Sequence, residues 1–336
     1  MGSYWVLYNA VLETPRHTSK DLISEAAVED EVEAVCTHLK LLGYSCVRYP
    51  LIDIQKLVHD LASPPHLIFN LCEGFRGNAK KEMHVAALLE LLGIPFTGNY
   101  AKSLGIAQDK NLTKRILSSA GIPTPKWMIY TGGTITDDIP LSFPLIVKPA
   151  QEDGSLGIEK RNVVRDTESL NQVAAELYRL YRQPILIEEF LSGREFNVSL
   201  LEVEGELLTL PISEISWEGL QKEGSPLVSY EAKWIEDSPE YNLTPSICPA
   251  PIHEELGHTL RTLASETWKI LGGKDYGRVD IRLDEKEMPF VLEFNPNPDI
   301  SLQAGFTKSL KVAGLSYPQF LQILIQNNLH AKESSP

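Results

Sequence analysis

The sequence is poor in the features that assign a protein quickly. It has four cysteines in 336 residues (Cys36, Cys46, Cys72 and Cys248), and no two of them make a CxxC pair. That pattern excludes a zinc ribbon or a thioredoxin-like motif. It predicts reduced thiols in a cytoplasmic protein, not a disulfide framework. No apolar run is long enough to span a bilayer, and the first residues lack the order of a secretory signal. Positive charge is scarce: 31 Lys and Arg stand against 45 Asp and Glu, a net charge of −14. Non-specific binding to nucleic acid or to an anionic membrane is therefore not expected. A local basic pocket for a small anion remains compatible with such a surface. There is no G-x-G-x-x-G after a strand and no loop ending in Gly-Lys-Ser/Thr, which argues against a dinucleotide oxidoreductase and a P-loop enzyme. There is no internal repeat, and only residues 331–336 read as a loose end.

What is present is ordinary for a globular enzyme: 43% hydrophobic and 23% charged residues. The length suggests two or three domains. Apolar runs at 4–8, 45–49 and 66–71 alternate with helical patterns at 25–42 and 81–92, each stopped by a glycine. This predicts an open α/β layer with a mostly parallel sheet over residues 1–102. Ligands bind at the carboxyl ends of such strands, so the loops after Tyr8 and Leu71 are candidate substrate loops. Residues 103–190 read as a small α+β unit, with helices at 103–120 and 169–181 and strands at 144–149 and 185–190. Residues 191–336 read as a second α+β unit. It has strands near 195–203 and 206–211, a long loop over 213–251, helices at 252–271 and 317–328, and a hairpin.

That hairpin, residues 277–301, carries the sharpest signal. Val279, Ile281 and Leu283 alternate with Arg278, Asp280 and Arg282. Leu292 and Phe294 are expected on one face, with Glu293 and Asn295 on the other. A fold about Lys286 and Glu287 sets Asp280 opposite Glu293, with Cβ atoms roughly 5 Å apart. Two such carboxylates repel unless a cation joins them. Asp280, Glu293 and the Asn295 carbonyl are hard oxygen donors suited to Mg²⁺, with phosphate completing the shell. A solvated hairpin face is the bland alternative. The Asn295-Pro-Asn-Pro-Asp299 tail, stiffened by two prolines, weighs against it.

Basic and glycine-rich features cluster upstream. Lys148 ends the strand LIVK, and Lys110 opens the helix KNLTKRIL. The loop Gln151–Gly157 offers Gly154, Ser155 and Gly157, whose backbone N–H groups can approach phosphate oxygens. Glu188, Glu189 and Phe190 end an apolar strand that suits a hinge against which adenine packs. A carboxylate there, or Glu195 just beyond, can accept the adenine amino group or ribose hydroxyls. Each alone is also consistent with an exposed lysine or a charged strand end.

In order, Asp109-Lys110, Val147-Lys148-Pro149, the Gly154–Gly157 loop, LIEEFLSGREF at 186–196, Tyr230-Glu231-Ala232-Lys233, Gly277-Arg278-Val279-Asp280 and Leu292-Glu293-Phe294-Asn295 resemble the ATP-grasp superfamily. Within it they are most similar to the D-alanine–D-alanine ligase family. The match spans about residues 66–325. The resemblance implies an ATP-grasp fold, with a Rossmann-like N-terminal domain and ATP held between two α+β lobes. It also implies a soluble enzyme that forms an amide through an acyl phosphate, releasing ADP and phosphate. By that resemblance Lys110 and Lys148 contact adenine and the α/β-phosphates, and Glu188 and Glu195 hold adenine and ribose. Lys233 meets the γ-phosphate, and Asp280, Glu293 and Asn295 carry two Mg²⁺ ions, with Mn²⁺ able to substitute. Arg278 steadies charge at the reacting centre. The partners implied are a small amino acid and a carboxylate or acid-like acceptor. The helix 25–42 offers a face for a homodimer, as in dimeric relatives.

The departures fall in the substrate half. The family's His-Gly…Gly-Glu-Asp-Gly loop is replaced by Cys72-Glu73-Gly74-Phe75-Arg76-Gly77-Asn78, which makes Glu73 and Arg76 substrate candidates. Cys72 and His84 do not read as a nucleophilic pair. The Gly-Gly-x-Ser opening is missing, although Glu25 is placed to hold an amine. Gly154 stands where the family has a gating serine, and Trp234 stands where it has tyrosine. After Asn295 the chain runs Pro296-Asn297-Pro298-Asp299-Ile300-Ser301. The family's Ser-Leu pair, which holds the second substrate's carboxylate, falls at Ala304 and Gly305. Asp299 and Ser301 are the remaining candidates there. A site stripped of such donors discriminates strongly against the original substrate. The expectation is therefore another amino acid or acceptor, not D-Ala–D-Ala. The alternatives are a true D-alanine–D-alanine ligase, a mycosporine-type, imine-forming ligase with altered pockets and, from another class, a non-catalytic ATP-binding module.

Overall fold

The computed structural model describes residues 3–10, 28–152, 156–216 and 244–330. Three sheets follow one another along the chain. The first has β1 (Ser3–Asn9) at its centre, flanked in parallel by β2 (Ser45–Leu51) and β3 (Leu67–Leu71). Helix α1 (Val28–Leu41) covers one face. Val28, Val32, Val35 and Leu39 recur at helical spacing and pack on Tyr4, Val6 and Phe69. Helix α2 (Ile54–Asp60), which the sequence reading missed, starts at Asp53, whose carboxylate accepts from Gln55 N and Lys56 N. Helix α3 (Glu82–Leu91) covers the other face through Val85, Ala86 and Leu89.

The expected helix over 103–120 is two helices, α4 (Ala101–Gln108) and α5 (Lys110–Ser119). Asp109 leaves helical geometry (φ −99°, ψ 96°) and caps α5 by accepting from Leu112 N. A capping aspartate thus won over a continuous apolar pattern. The second sheet runs β4-β7-β5-β6, from β4 (Trp127–Tyr130), β5 (Leu145–Pro149), β6 (Val163–Val164) and β7 (Ile185–Glu189). Helix α6 (Thr167–Tyr181) packs on it through Leu170, Val173, Ala174 and Leu177. Gly157 sits where Tyr181 and Pro149 leave no room for a Cβ, at φ +74°, so glycine is needed at the end of that loop.

The third sheet is built from β8 (Glu195–Val203), β9 (Glu206–Thr209), β10 (Ser213–Ile215), β11 (Ser246–Ile247), β12 (Tyr276–Leu283) and β13 (Pro289–Asn295); it runs β11-β10-β8-β12-β13, with β9 also on β8. The ends of the expected loop 213–251 pair with each other as β10 (Ser213–Ile215) and β11 (Ser246–Ile247); residues 217–243 lie outside the description. Helix α7 (Glu254–Leu271) packs on the hairpin strands β12 (Tyr276–Leu283) and β13 (Pro289–Asn295). Gly277 is small because the Trp268 and Phe294 rings would meet any Cβ there at 2.9 and 2.8 Å. Two helices close the fold, α8 (Gly305–Val312), missed from sequence, and α9 (Tyr317–His330). No helix of the described residues is long and apolar enough to cross a membrane.

The cysteine expectation is corrected. Cys36 on α1 and Cys46 on β2 form a disulfide, with Cα atoms 5.6 Å apart. Their ten-residue separation held no recognisable motif; α1 folding back beside β2 brings them together. Cys72 and Cys248 are free.

Candidate active site

The hairpin register is the predicted one at its functional end. Asp280 pairs with Glu293 and Arg278 with Asn295 across β12 and β13. A register shift between Asp280 and Ile281 then sets Ile281 against Val291. This corrects the assignment of Leu292. Val291 and Phe294 enter the core, whereas Leu292 turns into the cleft beside Glu293. Such a bulge re-aims one side chain without disturbing the strand beyond it.

Asp280 is held from three sides. Arg278 donates to it twice, Nε to Oδ1 at 2.7 Å and Nη2 to Oδ2 at 2.8 Å. Asn295 Nδ2 donates to Oδ2 at 2.9 Å, and Asn197 Nδ2, from β8, donates to Oδ1 at 2.7 Å. Asn197 was not singled out from sequence; its pairing with Asp280 across the sheet is a long-range fact. Burial works against the Arg278 charge, but Asp280, then Glu293 and Asp299, hold its pKa above the ordinary value. No trio of His, Cys, Asp and Glu arranged for a metal exists among the described residues. The donor set is instead two opposed carboxylates and an amide on one sheet face. It fits a hard cation whose remaining ligands come from phosphate.

Across the cleft lies a buried charge network. Glu188, only 2% exposed, receives Lys148 Nζ at 2.5 Å and Lys114 Nζ at 2.7 Å. Burial alone would raise the Glu188 pKa, but the two lysines win and hold it down to about 2. Lys114 also donates to Thr124 Oγ1 at 2.8 Å. Sequence reasoning missed Lys114, although it lies one helical turn after Lys110 and the spacing places both on one face. Lys110 is buried, donates to the Glu152 carbonyl, and stands 3.9 Å from Glu293 Oε2. It therefore links the start of the glycine loop to the acidic hairpin. Glu195 pairs with Arg282 Nη1 at 3.1 Å, and Arg282 stacks on Phe190. Burial raises the Glu195 pKa against the pull of Arg282. Lys148, Glu188, Glu189, Phe190, Glu195, Asp280, Leu292 and Glu293 line one cleft. The structure thus brings Lys110, Lys148, Glu188, Glu189, Phe190, Glu195, Asp280, Glu293 and Asn295 together, whereas Gly157 packs against Pro149 and Tyr181 outside the cleft lining. Gly154, Ser155, Lys233, Trp234 and Glu25 lie outside the described residues.

The described substrate candidates lie after β3 and on the tail that follows β13. Asp299 accepts from Ser301 N at 2.7 Å, and Glu73 N donates to Asn9 Oδ1 at 3.0 Å. Asn297 ties the proline-rich tail to the first layer by donating to Glu82 Oε1 at 3.1 Å. Arg76 is exposed and lies over its neighbour Phe75, so nothing brings it to the others. The residue missed here is Glu31 on α1. It is 5% exposed, accepts from Ile300 N at 3.2 Å, and is acted on by the charges of Asp299 and Glu73. Its one sequence signal is a carboxylate set between Val28 and Val32 on an apolar helix face. The buried Cys72 thiol has its pKa pushed well up by burial, which leaves no ready nucleophile.

A sheet-borne acidic pair, an arginine clamp and buried lysines around one interlobe cleft mark the ATP-grasp class of ligases. The family model "D-ala D-ala ligase C-terminus" matches residues 116–326. A D-alanine–D-alanine ligase of a Marinomonas species is 31% identical over 294 residues, 86% of this chain and 84% of that one. An uncharacterised protein of Sinorhizobium fredii is 36% identical over 262 residues, 78% of this chain and 74% of its own length. The solved structure of Bacillus anthracis D-alanine–D-alanine ligase complexed with ATP superposes with a TM-score of 0.76 at 24% identity, over 100% of both chains. The chain belongs to the D-alanine–D-alanine ligase family, and by class it is an ATP-dependent ligase.

Proposed function

We propose that the chain binds Mg²⁺ and ATP in the cleft between its second and third sheets. There it joins a carboxylate to an amine through an acyl phosphate. The observation that carries the reading is Asp280 set opposite Glu293 and clamped by Arg278, facing the lysines of the other lobe. Asp280, Glu293 and Asn295 would hold Mg²⁺, which supplies charge neutralisation at the β- and γ-phosphates. Lys110 and Lys148 neutralise phosphate oxygens on the opposite side. Leu292 and Phe190 offer apolar walls for a base, and Glu188 and Glu189 offer acceptors for its amino group.

The carboxylate oxygen attacks the γ-phosphorus, the bond to the β–γ bridging oxygen breaks, and ADP leaves. The amine nitrogen then attacks the acyl carbon, and phosphate leaves as the nitrogen gives up a proton. Arg278 stands between the acidic pair and Asp299, where it can donate to the oxygen that gains charge in both steps.

We further infer a product other than D-Ala–D-Ala. The family's carboxylate-holding serine is replaced by Ala304, a buried residue with no hydroxyl at the start of α8, followed by Gly305. The test is ADP release with ATP and Mg²⁺ across D- and L-amino acids, singly and in pairs, with Arg278→Ala as control. Turnover of D-alanine alone would make the chain a D-alanine–D-alanine ligase, the reading favoured by the names of its relatives.

A further inference from the structure

The polar face of the third sheet is laid out in rows. Antiparallel pairing sets Glu195 of β8 opposite Arg282 of β12, Asn197 opposite Asp280, and Ser199 opposite Arg278. Successive rows are two residues apart, roughly 7 Å along a strand. The first row, Glu195 with Arg282, follows the crossing of the chain from the second sheet to the third, and both residues line the cleft. Arg282 is 3% exposed, and its guanidinium is held on three sides. Nη1 donates to Glu195 Oε2 at 3.1 Å, Nε donates to the Gly193 carbonyl at 3.2 Å, and the group lies over the Phe190 ring, 4.8 Å from its centre. Gly193 is pinned in turn. Its N–H donates to the Leu283 carbonyl at 3.1 Å, and a Cβ there would meet that oxygen at 2.5 Å. One arginine therefore ties the crossing chain to the Glu195 carboxylate. It fixes one carboxylate oxygen; among the described residues no donor meets the other, Oε1.

The order of the rows decides what reaches that oxygen. Phe190 stands at the crossing, Glu195 comes next, and Asp280 lies one row further on. A nucleotide with its base at Phe190 and its phosphates at Asp280 and Glu293 thus passes its sugar over Glu195. An ionised carboxylate only accepts hydrogen bonds, and a sugar hydroxyl can donate one. We propose that Arg282 is a positioning residue that sets the sugar specificity of the cleft: it holds Glu195 so that Oε1 accepts from the 2′- or 3′-hydroxyl, and a ribonucleotide is preferred to one lacking both. This deepens the ATP reading and rests on it. Arg282 acts through Glu195 and need not touch the nucleotide. A site built to meet a hydroxyl discriminates strongly against an analogue without it, because a buried acceptor is then left unpaired.

The test is calorimetric binding of ADP and of 2′,3′-dideoxy-ADP to the full chain with Mg²⁺, which needs no second substrate. The wild type should bind ADP roughly tenfold or more tighter, the scale of a hydrogen bond to a charged group. Arg282→Met should weaken ADP far more than dideoxy-ADP and so remove most of that preference. Arg282→Lys keeps a charge beside Glu195 and should restore a measurable part of it, though one ammonium cannot reproduce the guanidinium contacts. Where an uncompensated buried acid keeps Arg282→Met from folding, Arg282→Met combined with Glu195→Gln removes both charges. That pair should show the same small preference as Glu195→Gln alone, because the arginine acts only through the acid. Equal binding of both nucleotides by the wild type overturns the proposal and leaves the ATP site standing. An equal weakening of both in Arg282→Met, the mark of a merely structural arginine, overturns it as well, as does a preference undiminished in that variant. Failure of the wild type to bind either nucleotide overturns the proposal and the ATP reading together.

Discussion

The two ends of the active cleft solve opposite electrostatic problems. At the ATP end, charges are buried in matched groups: Glu188 with Lys114 and Lys148, Arg278 with Asp280, Glu195 with Arg282. At the substrate end Glu31 is buried and accepts from Ile300 N, and burial, then the charges of Asp299 and Glu73, push its carboxyl well up. A matched network offsets part of its desolvation cost and holds its geometry before the ligand arrives. A buried acid raised by its neighbours is held in place by the surrounding fold and is the less charged for it. The difference teaches where to look for conserved chemistry and where to look for altered specificity.

The sharpest way to break the matched end is at the hairpin. Asp280→Asn keeps the shape but removes half of the opposed acid pair and the partner of Arg278. Turnover, read as ADP release, should fall at least about a thousandfold, the scale of losing a principal charge-stabilising group. Arg278→Lys keeps the charge but loses the two-pronged contact. It should lower kcat by roughly a hundredfold while ATP affinity changes little, a split that separates transition-state help from binding.

The next effect is on stability. Glu188→Gln leaves two buried lysines facing a neutral group, and unfolding in urea at neutral pH should show a loss of about 3 kcal/mol. The sign with pH follows from a depressed pKa. Glu188 ionises at about 2 in the folded chain, against 4.5 for the ordinary carboxyl. Its contribution is therefore complete above pH 4.5 and fades as pH falls towards about 2. The difference between wild type and variant should shrink over that window and stay constant above it. A difference that grew on acidification would disprove the ion-pair account.

How much of this was legible depends on the range of the interaction. Asp280 opposite Glu293 was readable because strand alternation and a short turn fix the register locally. Lys110, Lys148, Glu188 and Glu195 were readable as strand and helix ends in a recurring order. Lys114 was within reach of the same logic, at the next helical turn. Asn197 and Glu31 were not, since Asn197 meets Asp280 through sheet pairing and Glu31 meets Ile300 through packing of distant segments. The same reason hid the Cys36–Cys46 disulfide. The bulge at Leu292 was hidden differently: alternation predicts faces only until an extra residue shifts them.

The smallest predicted effect tests whether the two ends are mechanically separate. The disulfide ties α1, which carries Glu31, to β2, and touches nothing at the ATP end. Closing an eleven-residue loop contributes up to about 3 kcal/mol by chain entropy, and engineered changes commonly deliver less. Cys46→Ser should therefore cost about 1–2 kcal/mol in urea unfolding. Its signature in function should be selective. Freed from β2, α1 would hold Glu31 less firmly, raising KM for the non-nucleotide substrate a few-fold while KM for ATP stays put. An equal rise in both constants would mean that the first layer and the ATP lobes move as one body. The contrast between an ion-paired nucleotide end and a mechanically separate substrate end would then have to be given up.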